Sequence, residues 1–241
     1  MAATPQGLAE SLIDVLLHEL RQPLLCALVL AERIETAIEN LDSAKVERSA
    51  ILKRDSIALV SSIYQMRELI STGSMLTERR YTTYGWQDKI LKIFDGFQAI
   101  ASSKGVQLDV QSQLQGVESG PDVRLIQQIC SNLITNAFDA LDEVTGLKTV
   151  KMSLWVDNST LYLTVEDSGK GVSDDQKDKL FNRGFTTKSA RGGSGIGLWL
   201  CKKLSEVMGG HLSLGRSSLL GGAEFTMQMP LNEELAQKSA E

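Results

Sequence analysis

Apolar residues recur every three or four positions between Leu8 and Leu41, at Ile13, Leu17, Leu20, Leu24, Leu28, Ala31, Ile34, Ile38 and Leu41. That spacing predicts one long amphipathic helix. Asp42-Ser43 interrupts it, and a second stripe follows in Leu52, Leu59, Ile63, Met66 and Ile70, with Val60 and Tyr64 beside it. The two arms read as a helical hairpin. Each would be roughly 45 Å long at about 1.5 Å of rise per residue, and two arms alone cannot enclose both stripes. Pairing of two hairpins into a dimeric four-helix bundle is the expected remedy. Gly73-Ser74 and the polar run Thr77-Glu78-Arg79-Arg80 end the hairpin and begin a linker, which puts a domain boundary near residue 80.

Beyond it the pattern is mixed. Ile90, Ile93, Phe94 and Phe97 keep helical spacing within residues 87–103, whereas Val106 to Val110 alternates as a short strand does. Pro121-Asp122 opens a further helix through Ile126, Ile129, Leu133 and Ile134 to Leu141. Alternating runs from Val150 to Val156 and from Leu161 to Glu166 flank Asp157-Asn158-Ser159, a hairpin signature. From Ser168 to Gly195 there is too little apolar content for a packed element, and a mobile surface loop is expected. A helix from Ile196 to Met208, closed by Gly209-Gly210, precedes strands at 211–215 and 223–229 and a polar tail at 232–241. The fold class is therefore α+β, with a helical hairpin over residues 1–80 and an α/β sandwich over 81–231.

Composition narrows the partners. Of 241 residues, 42% are hydrophobic and 23% charged, as in soluble globular proteins. A net charge of −5 provides no basic field to hold nucleic acid or an anionic membrane. No apolar run approaches the ~20 residues that span a bilayer, and residues 1–10 lack a signal-peptide layout. A cytoplasmic protein with protein or small-molecule partners is expected. Cys26, Cys130 and Cys201 are odd in number, far apart and set among apolar helical residues, so they read as buried free thiols.

Four polar clusters carry candidate chemistry. Leu17-His18-Glu19-Leu20-Arg21-Gln22-Pro23-Leu24 sets a histidine beside a carboxylate on the first arm. His18 falls roughly 130° from the centre of the Leu17, Leu20, Leu24 stripe, so its ring faces solvent. Glu19 can take a proton from one ring nitrogen and leave the other a neutral nucleophile, while Pro23 loosens the helix beside it. Asn132 and Asn136 lie one helical turn apart, and an amide carbonyl suits Mg2+ already compensated by phosphates. Asp167 ends a strand, where a carboxylate can accept from an exocyclic amine such as that of adenine, and Gly169 and Gly171 let the backbone approach a ring. Gly193, Gly195 and Gly197 open a helix whose free N–H groups suit phosphate, with Lys188 adding charge from the preceding loop. The Gly-Lys-Ser/Thr ending of a P-loop is missing. Each cluster alone is also compatible with plain turns and solvated faces; together, in this order, they describe a nucleotide site serving a histidine.

In that order the clusters resemble the boxes of sensor histidine kinases of two-component systems. The core of that family joins a dimerisation and phosphotransfer hairpin to an ATP-binding domain of the gyrase, Hsp90 and MutL superfamily. The likeness runs from Leu8 to Pro230. The region around His18 matches the H box, Asn132 to Ala137 the N box, Asp167 to Gly171 the first glycine box, Phe181 to Lys188 the phenylalanine box with Thr186 and Thr187 inside it, and Gly193 to Leu198 the second glycine box. The resemblance implies that His18 is the phosphoacceptor and Glu19 its general base, that Asn136 coordinates Mg2+ and Asn132 assists at the phosphates, and that Asp167 binds the adenine amine. Gly169, Gly171, Thr187, Lys188, Gly193, Gly195 and Gly197 would then shape the nucleotide pocket and its lid. The implied reaction passes the γ-phosphoryl group of ATP to His18 and then to an aspartate on a response regulator receiver domain, largely by positioning and charge neutralisation. A homodimer through the hairpin is implied as well.

Departures from the family pattern qualify this. Gln22 stands where many members have Thr or Asn, which leaves a phosphatase activity toward the regulator open. Asp139 stands where many carry Lys or Arg, which removes one expected phosphate contact. Phe185-Thr186-Thr187-Lys188, Asn136 to Ala140 and Gln22-Pro23 resemble the nitrogen-regulation and dicarboxylate-sensing branches. Members there usually carry sensory segments, so a truncated core or a partner-supplied input is expected. Two other readings stay open: a clamp ATPase, which would need a glutamate at position 132 to activate water, and a non-catalytic dimeric nucleotide-binding scaffold, which would show a damaged box.

Overall fold

The computed structural model describes residues 5–39, 55–56, 59, 62–63, 66, 69–70, 73, 84–187 and 195–231. The chain divides into two compact units, one with Ala9–Glu78 as its main segment and one built chiefly from Arg79–Thr187 and Ser194–Glu241.

In the N-terminal unit a single helix, α1, runs from Pro5 to Glu39, and the described residues between 55 and 73 are all helical. Arg33, near the end of α1, pairs with the buried carboxylate of Asp55 at 3.0 Å; the expected turn at Asp42-Ser43 lies outside the described residues. The buried positions are Leu12, Leu16 and Ala27 on α1 and Asp55, Ser62 and Leu69 beyond it. The expected apolar stripe is not the buried one: Leu17 is 61% exposed, and Leu24, Leu28, Ile63 and Ile70 are exposed too. Helices of a bundle carry two apolar faces, and periodicity reports their sum without saying which face the chain's own second arm covers. Cys26 is exposed, against expectation, whereas Cys130 and Cys201 are buried; burial pushes the Cys130 thiol far above its ordinary range.

The C-terminal unit comprises α2 (Trp86–Ser103), β1 (Gln107–Gln113), α3 (Val123–Ala140), β2 (Thr149–Asp157), β3 (Thr160–Asp167), α4 (Asp174–Lys177), α5 (Gly197–Val207), β4 (His211–Arg216) and β5 (Ala223–Pro230). Its sheet has the order β1-β2-β3-β5-β4. Only the β1–β2 pairing is parallel. Alternation aims one set of side chains at the helices: Met152, Val165 and Phe225 form one buried row across β2, β3 and β5, and Leu154, Leu163 and Met227 the next. The reverse face carries Lys151, Glu166 and Glu224 in register. Helix α3 packs on β2 and β3, α5 on β4 and β5, and α2 on α3 and β1.

Local signals set the boundaries. Asp122 caps α3 by accepting the Arg124 N–H at 2.9 Å and also holds the Arg124 guanidinium. Asn158 and Ser159 adopt φ of 46° and 61°, the left-handed pair that a tight turn between twisted antiparallel strands demands. The segment expected to be a mobile loop after Ser168 is partly built: α4 lies within it, and Phe181 packs edge-on to Phe225 with ring centroids 6.4 Å apart. That contact spans 44 positions, so no local window of sequence reports it.

Candidate nucleotide site

Asp167 is the last residue of β3 and only 3% exposed. Its Oδ1 accepts the N–H of Gly169 at 2.8 Å and of Ala223 at 3.3 Å, and its carbonyl accepts from Gly222 N at 3.1 Å. One carboxylate oxygen is thus anchored by two amides, while no partner is present for Oδ2 among the described residues. Burial raises the pKa of this carboxyl, and the amides of Gly169 and Ala223 pull it partway back. A largely buried carboxylate whose second oxygen reaches the surface without a protein partner is a selective acceptor for an N–H donor.

The glycines around it are there for space. A Cβ on Gly169 would lie 2.8 Å from Asp167 Oδ1 and 3.1 Å from the carbonyl of Ala140, the last residue of α3. Gly171 has φ +74°, which an L side chain rarely adopts. Gly222, absent from the motif-based reading, is more tightly confined than either: its Cβ would overlap both the carboxylate and the carbonyl of Asp167. Gly221-Gly222 falls between the last two expected strands, where no motif marks it. Its steric partner lies 55 positions away and leaves no mark on the local pattern.

Helix α3 also supplies Asn132, Asn136 and Asp139, all partly exposed. A Cβ on Gly197, the first residue of α5, would come 3.3 Å from Asn132 Oδ1. The amide nitrogen Nδ2 of Asn132 is buried and has no hydrogen-bond partner. An orphaned buried N–H costs about 1–3 kcal/mol, and here it sits beside the N-terminus of an eleven-residue helix, whose own N–H groups attract anions. This donor set fits the phosphate end of a nucleotide. Asn136 offers a neutral carbonyl oxygen one turn further along. Among the described residues no three His, Cys, Asp or Glu side chains gather as a metal cage, so an ion here would be carried mainly by the phosphates.

Gly195, at φ +68°, lies so close to the Gly184 backbone that a Cβ would overlap it, and Gly184 N donates to the Gly195 carbonyl at 3.1 Å. The phenylalanine-box segment is thereby tied to the start of α5. Lys202 over the Phe181 ring at 5.7 Å and Arg183 over the Trp199 ring at 6.0 Å add cation–π contacts. Thr186 and Leu198 are half-buried and Thr187 is exposed. Lys188 and Gly193 lie outside the described residues.

The structure therefore brings Asp167 and Gly169 against the end of α3, and Asn132, from the same helix, against Gly197. His18 lies on α1 in the N-terminal unit and is exposed, although the stripe that sets its expected direction is itself not the buried one. Glu19 and Gln22 are helical residues whose side chains lie outside the described ones.

A mixed sheet covered by helices, with glycine-lined contacts between the end of β3, α3 and the start of α5, makes an α/β sandwich. Residues 121–233 match the family described as histidine kinase-, DNA gyrase B- and HSP90-like ATPase. Along 232 residues, 95% of the chain and 50% of the relative, it is 26% identical to the sensor protein RstB of Escherichia coli strain K12. The chain spans about half the length, or less, of such curated relatives. Two solved structures share the fold. The histidine kinase ThkA in complex with the response regulator protein TrrA has a TM-score of 0.63 at 18% identity over 92% of this chain and 61% of ThkA. Full-length ShkA in complex with AMPPNP has a TM-score of 0.59 at 22% identity over 95% of this chain and 46% of ShkA. None of these relatives singles out the nitrogen-regulation or dicarboxylate-sensing branch.

Proposed function

We propose that this chain is an ATP-dependent protein histidine kinase that phosphorylates its own His18 and passes the phosphoryl group to an aspartate on a response regulator. The observation that carries the reading is the buried, unpartnered Asn132 Nδ2 beside the start of α5, a donor that a phosphate oxygen would satisfy. The free oxygen of Asp167 suits the other end of the same ligand, the adenine amine. Position 132 also argues against hydrolysis, because an amide cannot take a proton from water at neutral pH as a carboxylate can. ThkA, a structural neighbour, is seen bound to a response regulator, and the same class of partner is assigned to this chain.

In this reading ATP binds with its adenine at Asp167, Gly169 and Gly171 and its phosphates at Asn132, Gly195 and Gly197; Thr187, Lys188 and Gly193 would help shape its pocket and lid, as the resemblance implies, and Phe181, Thr186 and Leu198 belong to the binding segments beside it. Asn136 holds Mg2+, which neutralises phosphate charge. Asp139 repels phosphate and keeps the anion toward α5. A ring nitrogen of His18 forms a bond to the γ-phosphorus while the bond to the ADP oxygen breaks, and Glu19 takes the ring proton. Gln22, one turn on, orients water for removing phosphate from the regulator. The hairpin forms a homodimer, supported by the exposed Leu17, Leu24, Leu28, Ile63 and Ile70. A cytoplasmic location goes with a regulator partner; no helix among the described residues is long and apolar enough to cross a membrane.

Incubation with γ-labelled ATP and Mg2+ tests the reading. Acid-labile, base-stable label on the wild type and none on His18→Ala is expected. Label persisting on His18→Ala removes that residue from its role, and ATP binding without any label converts the protein into a nucleotide-responsive scaffold.

A further inference from the structure

Between β4 and β5 the turn 217–222 brings Gly222 and Ala223 onto Asp167, and one side chain organises that turn. Ser217 is 2% exposed. Its hydroxyl donates to Glu166 Oε2 at 2.6 Å and accepts the Leu220 N–H at 2.8 Å. Its amide donates to the Gly222 carbonyl at 3.0 Å, and its own carbonyl accepts from Gly221 N at 3.0 Å. Every hydrogen-bonding group of the residue is spent inside the turn or on Glu166. Glu166 precedes Asp167 on β3, and alternation puts the two side chains on opposite faces of the sheet. The turn is thus held to β3 at two consecutive residues: from one face by Ser217 on the Glu166 carboxylate, from the other by Gly222 N and Ala223 N on the carbonyl and Oδ1 of Asp167.

We infer that Ser217, through Glu166, is a positioning residue for base recognition: it fixes the turn whose Ala223 amide anchors Asp167 Oδ1 and so decides where Oδ2 is presented. The inference rests on the proposed role of Asp167 as acceptor for the adenine amine. Without the hydroxyl, Glu166 Oε2 and Leu220 N both lose their partner, the turn shifts along β5, and the 3.3 Å Ala223 contact, the longer of the two on Oδ1, is the one that fails. The Gly169 contact survives, so the carboxylate stays in the site with its orientation loosened. Selectivity for the amine should fall while phosphate binding through Asn132 and Gly197 persists.

The experiment compares the affinity of the intact chain for ATP with its affinity for the triphosphate of purine riboside, which lacks the 6-amino group, in Ser217→Ala, Glu166→Gln, Glu166→Ala and Asp167→Asn. Ser217→Ala and Glu166→Ala are expected to bind ATP roughly tenfold more weakly, the loss of about one hydrogen bond, and to bind the purine analogue as the wild type does. Glu166→Gln keeps an acceptor for the hydroxyl and should retain the preference for ATP. The Ser217→Ala, Glu166→Ala double variant should be no worse than either single one. An equal loss for both nucleotides, or no loss for either, overturns the role of Ser217. If Asp167→Asn abolishes the preference and Ser217→Ala keeps it, the positioning role fails and the adenine assignment stands. If Asp167→Asn keeps the preference, the adenine assignment falls and the role of Ser217 falls with it.

Discussion

The Asp167 carboxylate occupies a medium hostile to its charge, so its effects on stability and on binding run in opposite directions. Its pKa is raised by burial, which means the folded chain binds that proton more readily than the unfolded chain does. Its contribution to the apo fold therefore becomes more favourable as pH falls through the raised value toward the ordinary carboxylate range. In the proposed site nucleotide binding needs the ionised acceptor, and so affinity for ATP should fall over the same window. Calorimetric titration of ATP against pH, beside the thermal midpoint of the apo protein, should show affinity dropping while the contribution of Asp167 to stability rises; affinity flat through that window would remove the carboxylate from base recognition. Asp167→Asn makes the same contrast at neutral pH. The amide oxygen can still accept from Gly169 and Ala223, but its NH2 would face the adenine amine donor to donor. Affinity should fall at least tenfold, by the loss of roughly one charged hydrogen bond, with the thermal midpoint unchanged or higher because a buried charge is gone. Gly222→Ala should do the reverse of a stabilising change: its Cβ would overlap Asp167, forcing the turn away and lowering ATP affinity. Wild-type affinity in Gly222→Ala would mean that the close approach has no part in binding.

Among the elements, those whose hydrophobic period is complete within one segment were legible from the sequence. Helix α3 shows its core face in Ile126, Ile129, Leu133 and Ile134 and its start in Asp122, and the β2–β3 hairpin shows alternation on either side of Asn158-Ser159. What stayed hidden depends on contacts between distant segments. Phe181 finds Phe225, Gly222 finds Asp167, and Ser217 finds Glu166, each across more than forty positions. The proposed nucleotide residues Asn132, Asp167 and Gly197 stood out because site chemistry concentrates unusual residue types in short stretches; the groups that hold Asp167 in place are an ordinary serine and an ordinary glycine. At α3 the local signal can be tested alone. Asp122→Ala removes the cap acceptor and the partner of Arg124, and should cost about 1–2 kcal/mol of stability, read as a thermal midpoint lowered by a few degrees. An unchanged midpoint would show that another group takes over the exposed N–H groups of the first turn.

At the scale of the whole molecule, the N-terminal unit leaves large apolar side chains exposed among its described residues. Its two helical stretches bury Leu12, Leu16 and Leu69 with the polar Asp55 and Ser62 between them, and leave Leu17, Leu24, Leu28, Ile63 and Ile70 in water. Exposed apolar side chains in such number are covered when a partner packs on them, and in the proposed dimer a two-fold pairing of identical hairpins covers them with one surface used twice. Leu24 and Leu28 are one turn apart on α1 and six and ten positions past His18. Charging both should therefore open the interface while leaving the nucleotide unit intact. If the proposed dimer forms, Leu24→Glu with Leu28→Glu is expected to sediment as a monomer at concentrations where the wild type sediments as a dimer, to bind ATP with wild-type affinity through the C-terminal unit, and to lose most of its autophosphorylation. A dimer that survives both substitutions would place the interface on another face. A monomer that still labels His18 at the wild-type rate would show that each hairpin receives its phosphoryl group from its own chain's nucleotide and needs no partner for the chemistry.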